Sequence, residues 1–351
     1  MKKSKTFFAC AMLAALASCS NDHVLSQQSP TPSDPDVINI VAASSKPVTK
    51  AANVAANLQD EQFADGKLIN VYLHEHGNTL GTTDNTFKNN PYVYSVGSTT
   101  DSNGKEMTTS NAPHFPITGE AVDAYAFYPA LSSATGYDIK YNTSTFSVLE
   151  DQSDDEKYTQ CDLMFGTNNW DPSNKNALSP FDGTKKGNVV KLYFRHILSK
   201  IVVNLTHGTG LQPSDLTNAK IKLKGAVPTA TISINGGGIT TSNPSGTAPR
   251  DGYNLGIYDA TNGNAAIIIP QDIDTGNPFI EITLSNNAKY VYKLADTDGG
   301  SDSKMTFASG YKYTYNLSLS AGNVVVVSTK IENWENGGGD NNGTADLQPG
   351  S

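Results

Sequence analysis

From Tyr311 to Leu319 the chain alternates without a break. Tyr311, Tyr313, Tyr315, Leu317 and Leu319 fall on one side, and Lys312, Thr314, Asn316 and Ser318 on the other. A period of two belongs to a strand with one face on a core and the other toward water. Shorter runs of the same kind recur along the chain: Val37–Val41, Lys67–Glu75, Pro91–Val96, Ala121–Tyr128, Val189–Phe194, Ile197–Leu205, Lys220–Lys224 and Ala230–Ile234. Ala265–Ile269, Phe279–Leu284, Lys289–Leu294 and Val324–Ile331 complete the series, with Trp334 behind it. Gly, Asn and Thr stretches separate the runs, and Asn235-Gly236-Gly237-Gly238 has hairpin-turn chemistry. One helix candidate, Ala51–Phe63, is weakened by Asn53 and Asn57. The acidic stretch Glu150–Glu156 reads as a solvated loop. Closely spaced strands with no helix–strand alternation predict an all-β chain of β-sandwiches.

At 351 residues the chain has room for two cores, at about 150 residues each. The polar stretch Asn168–Asn188, with Pro172 and Pro180, places a boundary near residue 188. The expected domains are therefore 37–188 and 189–334. A tail, 335–351, is rich in Gly, Asn and Asp with one large apolar residue, Leu347, and is expected to be disordered.

The first residues read as an export address. Lys2, Lys3 and Lys5 precede an apolar run, Phe7–Ala17, of about signal-peptide length. Leu16-Ala17-Ser18-Cys19 looks like a lipobox, so residues 1–18 are expected to be removed and Cys19 to become a lipidated N-terminus. Two or more acyl chains anchor stably where one does not. Residues 19–36 form a tether, Pro-rich from Ser26 to Asp36. Cys10 leaves with the signal, and Cys161 then stands alone as a buried small hydrophobe.

Charge excludes one class of partner. The chain carries 25 basic and 34 acidic residues, net −9, and loss of the three signal lysines takes it to −12. That balance disfavours a nucleic-acid backbone. Chemistry is sparse. His74-Glu75-His76 puts two imidazoles on one strand face, with no third metal ligand placed. Asp296-Thr297-Asp298-Gly299 starts like a calcium loop but has Ser301 and Phe307 at the sixth and twelfth positions. Phe194-Arg195-His196 sits between apolar strands, where His196 reads as structural. No nucleophile elbow, phosphate loop or Cys-x-x-Cys is present. A non-enzymatic protein without a metal or cofactor is the expectation.

Several pieces together resemble the fimbrillin family of Bacteroidetes type V pili. They are the lipobox at Cys19, Val48-Thr49-Lys50-Ala51, Phe63-Ala64-Asp65-Gly66 and Asp162-Leu163-Met164-Phe165-Gly166. Leu192 through Ile201, Ile269-Pro270-Gln271, Gly310-Tyr311-x-Tyr313-x-Tyr315 and Ile331-x-x-Trp334 follow in order. The resemblance implies two tandem transthyretin-like Greek-key β-sandwich domains. It also implies export as an outer-membrane surface lipoprotein, proteolytic removal of a first strand, and filling of the vacated groove by a donor strand from another fimbrillin subunit. On this pattern Val37, Ile38, Ile40 and Val41 form the displaced strand, with Ile38, Ile40 and Ala42 on its apolar face.

Two departures qualify the pattern. The family cleaves after Arg, but Lys50 occupies that place and the first Arg is Arg195; Lys46 is disfavoured by Pro47. The tail beyond Trp334 is polar, so the donor strand would be Val324–Ile331, with Val324, Val326 and Ile331 as its apolar residues. The expected function is a subunit of a surface fimbria supporting adhesion, in a stalk, tip or accessory position. The alternative is a glycan-binding surface lipoprotein that stacks sugars on Tyr92, Tyr94, Tyr137, Tyr141 and Trp170.

Overall fold

A computed structural model of the chain describes residues 35–43, 63–78, 86–87, 90–101, 103–130, 144–169, 181–235, 238–242, 248–261, 263–295, 303–334 and 345–347. The regular structure among the described residues is nearly all strand. In the first half these are β1 (Ile40–Ala43), β2 (Leu68–Glu75), β3 (Tyr92–Thr100), β4 (Lys105–Thr108), β5 (Val122–Tyr128), β6 (Ser144–Ser147) and β7 (Met164–Thr167). One helix, α1 (Asp155–Cys161), lies between β6 and β7. Then come β8 (Val190–His196), β9 (Ser199–His207), β10 (Lys220–Leu223), β11 (Thr229–Asn235), β12 (Gly238–Ser242), β13 (Tyr253–Ile257) and β14 (Asn264–Ile268). The rest are β15 (Gln271–Asp274), β16 (Pro278–Thr283), β17 (Lys289–Lys293), β18 (Lys304–Phe307), β19 (Tyr311–Ser320), β20 (Asn323–Asn333) and β21 (Ala345–Leu347).

Seven strands close on themselves in the order β1-β4-β3-β2-β5-β7-β8. The strand β8, which follows the expected boundary at 188, completes this first barrel: it pairs antiparallel with β7 and parallel with β1. Such pairings are non-local, so no sequence pattern announces them. The barrel interior is filled by Ile38, Ile40, Ala42, Ile69, Val71, Leu73, Tyr94, Met107, Ala124, Ala126, Val190 and Leu192, among others.

The second half stacks two sheets. One has the order β13-β10-β16-β17 and the other β14-β9-β19-β20-β21. Tyr315 meets Phe279 and Tyr292 across the space between them. The alternation from Tyr311 to Leu319 holds from its second tyrosine onward: Tyr313, Tyr315, Leu317 and Leu319 are buried, while Tyr311 at the strand's start is exposed.

Among the described residues the two cores share strands. Strands β2 and β5 are buried on both faces. Their inward residues fill the barrel, and Tyr72, Tyr125 and Phe127 join Phe165 in the core of the second half. Tyr72 and Tyr125 stack with centroids 4.8 Å apart. A strand buried on both faces loses its alternation and reads as a continuous apolar run, as Val122–Tyr128 does.

Two expectations need correction. The acidic stretch 150–156 is not wholly loop, because α1 begins at Asp155. The Asp154 side chain accepts from the Lys157 amide at 2.9 Å, and two acids occupy the first turn, where the helix dipole favours them. Second, β21 in the tail pairs with Thr329–Ile331 of β20. The helix candidate Ala51–Phe63, except for Phe63, and the calcium-like start Asp296–Gly299 lie outside the described residues.

Candidate functional site

Strand β1 is short and deeply seated. It pairs antiparallel with β4 (Ile40 to Met107, Ala42 to Lys105) and parallel with β8 (Ile40 to Val190, Ala42 to Leu192). It therefore supplies the closing stave of the barrel, and without it β4 and β8 would face each other across an open groove. Ile38 and Ile40 are 1% and 2% exposed. Burying two isoleucines contributes about 1.5–3 kcal/mol each. Val41, on the other face, is also buried. Val37 lies just before β1, bridges to His114 and is half-buried.

The ends of β1 are held by backbone and charge. Ile38 N donates to Pro113 O at 2.9 Å, Phe115 N to Asp36 O at 2.7 Å, and Val190 N to Asn39 O at 2.8 Å. Lys186 forms an ion pair with Asp36. At the other end, Gly104 has φ +143°, and a Cβ there would collide with the Ala42 carbonyl. Only glycine permits that approach.

The chain returns to described structure at Phe63, beside the end of β1. Lys105 Nζ donates to Phe63 O at 2.6 Å and pairs with Asp65 at 2.7 Å. The Phe63 ring packs edge-on against Tyr128 and Phe194, at 4.9 and 4.8 Å. Phe194 in turn lies over Gly166, where a Cβ would come within 2.7 Å of the ring. Sequence reasoning marked Phe63 and Gly166 only within motifs and missed Gly104 and Lys105. A glycine opening a strand and a lysine directly after it carry no signal without the pairing partner.

Lys46, Lys50 and Cys19 lie outside the described residues. The candidate donor residues lie on β20, which pairs with β19 from Asn323 to Asn333 around one bulge. Val324, Val326 and Ile331 turn toward the core and are half-buried, and Val325 and Val327 are each 51% exposed.

The remaining chemical candidates are structural. Strand β2 ends at Glu75, so the two histidines do not share a strand face. His74 is buried and stacks on Tyr125, whereas His76 sits in the following turn with Nδ1 2.8 Å from Asp123. No group of three or more ligating side chains forms a metal site among the described residues. His196 is buried, with Nδ1 2.7 Å from Asp162 and its ring stacked on Trp334. Cys161 is buried and accepts from the Leu149 amide at 3.1 Å, and burial pushes its thiol up to about 12. Gln271 is consumed by backbone: its Oε1 accepts from Val227 N, and its Nε2 donates to Ile269 O. Of the aromatic residues considered for sugar stacking, Tyr94 is buried in the barrel and Tyr92 is half-buried. Tyr137, Tyr141 and Trp170 lie outside the described residues.

A model of the family described as fimbrillin-like matches residues 49–334. Among solved structures, a candidate cell adhesion protein of Bacteroides uniformis matches with a TM-score of 0.61 at 21% identity, over 87% of this chain and all of that one. A second candidate cell adhesion protein, from Bacteroides ovatus, matches with a TM-score of 0.59 at 16% identity, over 85% of this chain and 97% of that one. A C-terminally truncated tip fimbrial protein, Mfa3 of Porphyromonas gingivalis, matches with a TM-score of 0.44 at 12% identity, over 85% of this chain and 99% of that one. No curated protein matches by sequence.

Proposed function

The chain belongs to the fimbrillin-like family, and on that premise we propose that it is a structural subunit of a cell-surface fimbria that supports adhesion, assembled by protease-triggered donor-strand exchange. The observation that carries the reading is the seat of β1. It closes the barrel between β4 and β8 and precedes the other strands of the described residues. The interval 44–62 that joins it to the body contains two basic residues, Lys46 and Lys50. A cut after Lys50 would leave β1 held by its ladder and side chains alone. A strand from another subunit could then take its place through the same backbone hydrogen bonds and the same pockets.

In this account Cys19 carries the lipid that holds the precursor in the outer membrane, and cleavage frees the body from both lipid and β1. The partners are other fimbrillin subunits. The body folds as two transthyretin-like modules whose cores merge along β2 and β5, so each subunit behaves as a stiff link. Val324, Val326 and Ile331 form the proposed donor face, and using them requires the β19–β20 ladder to open. The protein acts by assembly and without catalysis.

The reading is tested by shearing surface fibres from cells that express the chain and probing them with antibody against residues 189–334. Decorated fibres are expected. Labelling confined to the membrane fraction, with bare fibres, would contradict it.

A further inference from the structure

Among the described residues, the barrel interior that receives β1 holds a buried polar group with nothing to bond. Tyr94 is 2% exposed on β3, and its hydroxyl is buried with no hydrogen-bond partner. Tyr94 belongs to the same buried cluster as Ile38, Ile40, Ala42, Met107 and Val190. Register places it more closely. Val96 pairs with Met107 and Met107 with Ile40, so these three form one row across β3, β4 and β1. Tyr94 is one inward step from Val96, on the side of that row toward Ile38. Along that row two strand spacings, about 10 Å in all, separate β3 from β1; at Ile38 the neighbouring chain is the 113–115 segment, which bonds Ile38 and Asp36 in place of β4.

The resident segment leaves this hydroxyl unanswered, because its inward residues Ile38, Ile40 and Ala42 are all aliphatic. A buried hydroxyl without a partner is unfavourable, and a strand that supplied one would gain what β1 forgoes. We propose that Tyr94 is a specificity-determining residue of the groove, selecting a neighbouring subunit's strand that carries a hydroxyl or carboxamide side chain at the position Ile38 fills. The proposal rests on the strand-exchange reading above. A row of this kind occurs in the chain itself: on β20 the inward residues are Val324, Val326, Thr329 and Ile331, with Thr329 buried. The mixture of apolar residues and one hydroxyl gives the incoming strand an advantage over the departing one. It also gives the exchange a direction that apolar contact alone would not.

A double-mutant cycle on the full chain tests the pocket. Ile38→Thr and Ile38→Gln are made with Tyr94 intact and with Tyr94→Phe, and unfolding is followed in urea. The polar substitutions are expected to be tolerated better beside Tyr94 than beside Phe, by about threefold to tenfold in the unfolding constant, the worth of one buried hydrogen bond. Tyr94→Phe alone is expected to leave stability unchanged or raise it, since it removes an unpartnered group. Additive effects across the cycle would overturn the proposal, as would a clear loss of stability in Tyr94→Phe alone. Oligomer formation after trypsin is scored separately on the same variants. Coupling in a chain that never assembles would overturn the partner assignment and the strand-exchange reading together. Assembly without coupling would overturn Tyr94's role and leave strand exchange standing.

Discussion

His196 and Trp334 lie face to face, with ring centroids 3.8 Å apart and planes 7° from parallel. His196 ends β8, the last strand of the barrel, and Trp334 follows β20 at the end of the second core. Asp162 fixes the imidazole from the opposite element, 2.7 Å away and equally buried. The Trp334 amide donates to Gly310 O at 2.7 Å, and the Lys200 ammonium sits over the indole at 5.4 Å. Residues from 162 to 334 thus meet at one buried point, which joins the barrel to the C-terminal sheet.

Trp334→Ala should therefore destabilise the whole body by about 3–5 kcal/mol, the range for emptying an aromatic core site. Trp334→Phe should recover part of the loss. Urea unfolding followed by far-ultraviolet circular dichroism reads both. A loss under about 1 kcal/mol for the alanine variant would mean that the junction is not a structural tie.

Gly104→Ala tests the seat of β1. The added Cβ strains a φ of +143° and drives into the Ala42 carbonyl. Local strain of this kind costs on the order of 1–3 kcal/mol, and it falls where β4 approaches the C-terminal end of β1. Hydrogen exchange should speed up at Ile40–Ala43 and at the facing strands β4 and β8, with β16 and β19 unchanged. Uniform protection across the variant would contradict the assignment.

Ile40→Ala should destabilise the precursor by about 2–5 kcal/mol, the cost of truncating a buried isoleucine. The same substitution should leave the melting temperature of an already processed and assembled subunit where it was, because the residue has gone. Equal losses in the two forms would show that β1 is never exchanged.

Cys161 gives a pH signature. Burial is the main cause of its raised thiol pKa, about 12. An acid whose folded pKa is raised stays neutral in the fold while the unfolded chain ionises. Its contribution is complete below the unfolded value of about 8.5 and fades as pH rises through the folded one. At pH 8 Cys161 of the native protein should resist a thiol reagent that labels it at once in the urea-unfolded chain, and Cys161→Ser should reduce the loss of stability between pH 9 and 12. Rapid labelling of Cys161 in the native protein, read by peptide mass, would contradict the burial.

Much of the fold is legible in the sequence because exposed and buried faces alternate. Val190, Leu192 and Phe194, or Tyr313 through Leu319, declare their strands and their inward sides. The face of β1 is equally readable, in Ile38, Ile40 and Ala42. What the sequence hides is pairing. Whether β8 serves the first core or the second depends on β1, some 150 residues earlier, and hydrophobic pattern carries no register over that distance. Tyr94 was misplaced for a related reason. Tyrosine suits either face of a strand, and only the closed barrel shows that this one points inward. Short strands such as β13, β15 and β18 were missed because four or five residues give too little periodicity. Asp154 and its helix were masked by the acids around them.

The central claim is that β1 is a removable stave whose place another subunit takes. Limited trypsin digestion, followed by size-exclusion chromatography with mass analysis of each fraction, measures this directly. The account predicts release of residues 19–50, a body beginning at Ala51, and elution of that body as a ladder of multiples. A resistant body that still begins at Cys19, one that begins far beyond residue 66, or a correctly cut body that elutes only as a single copy would contradict it.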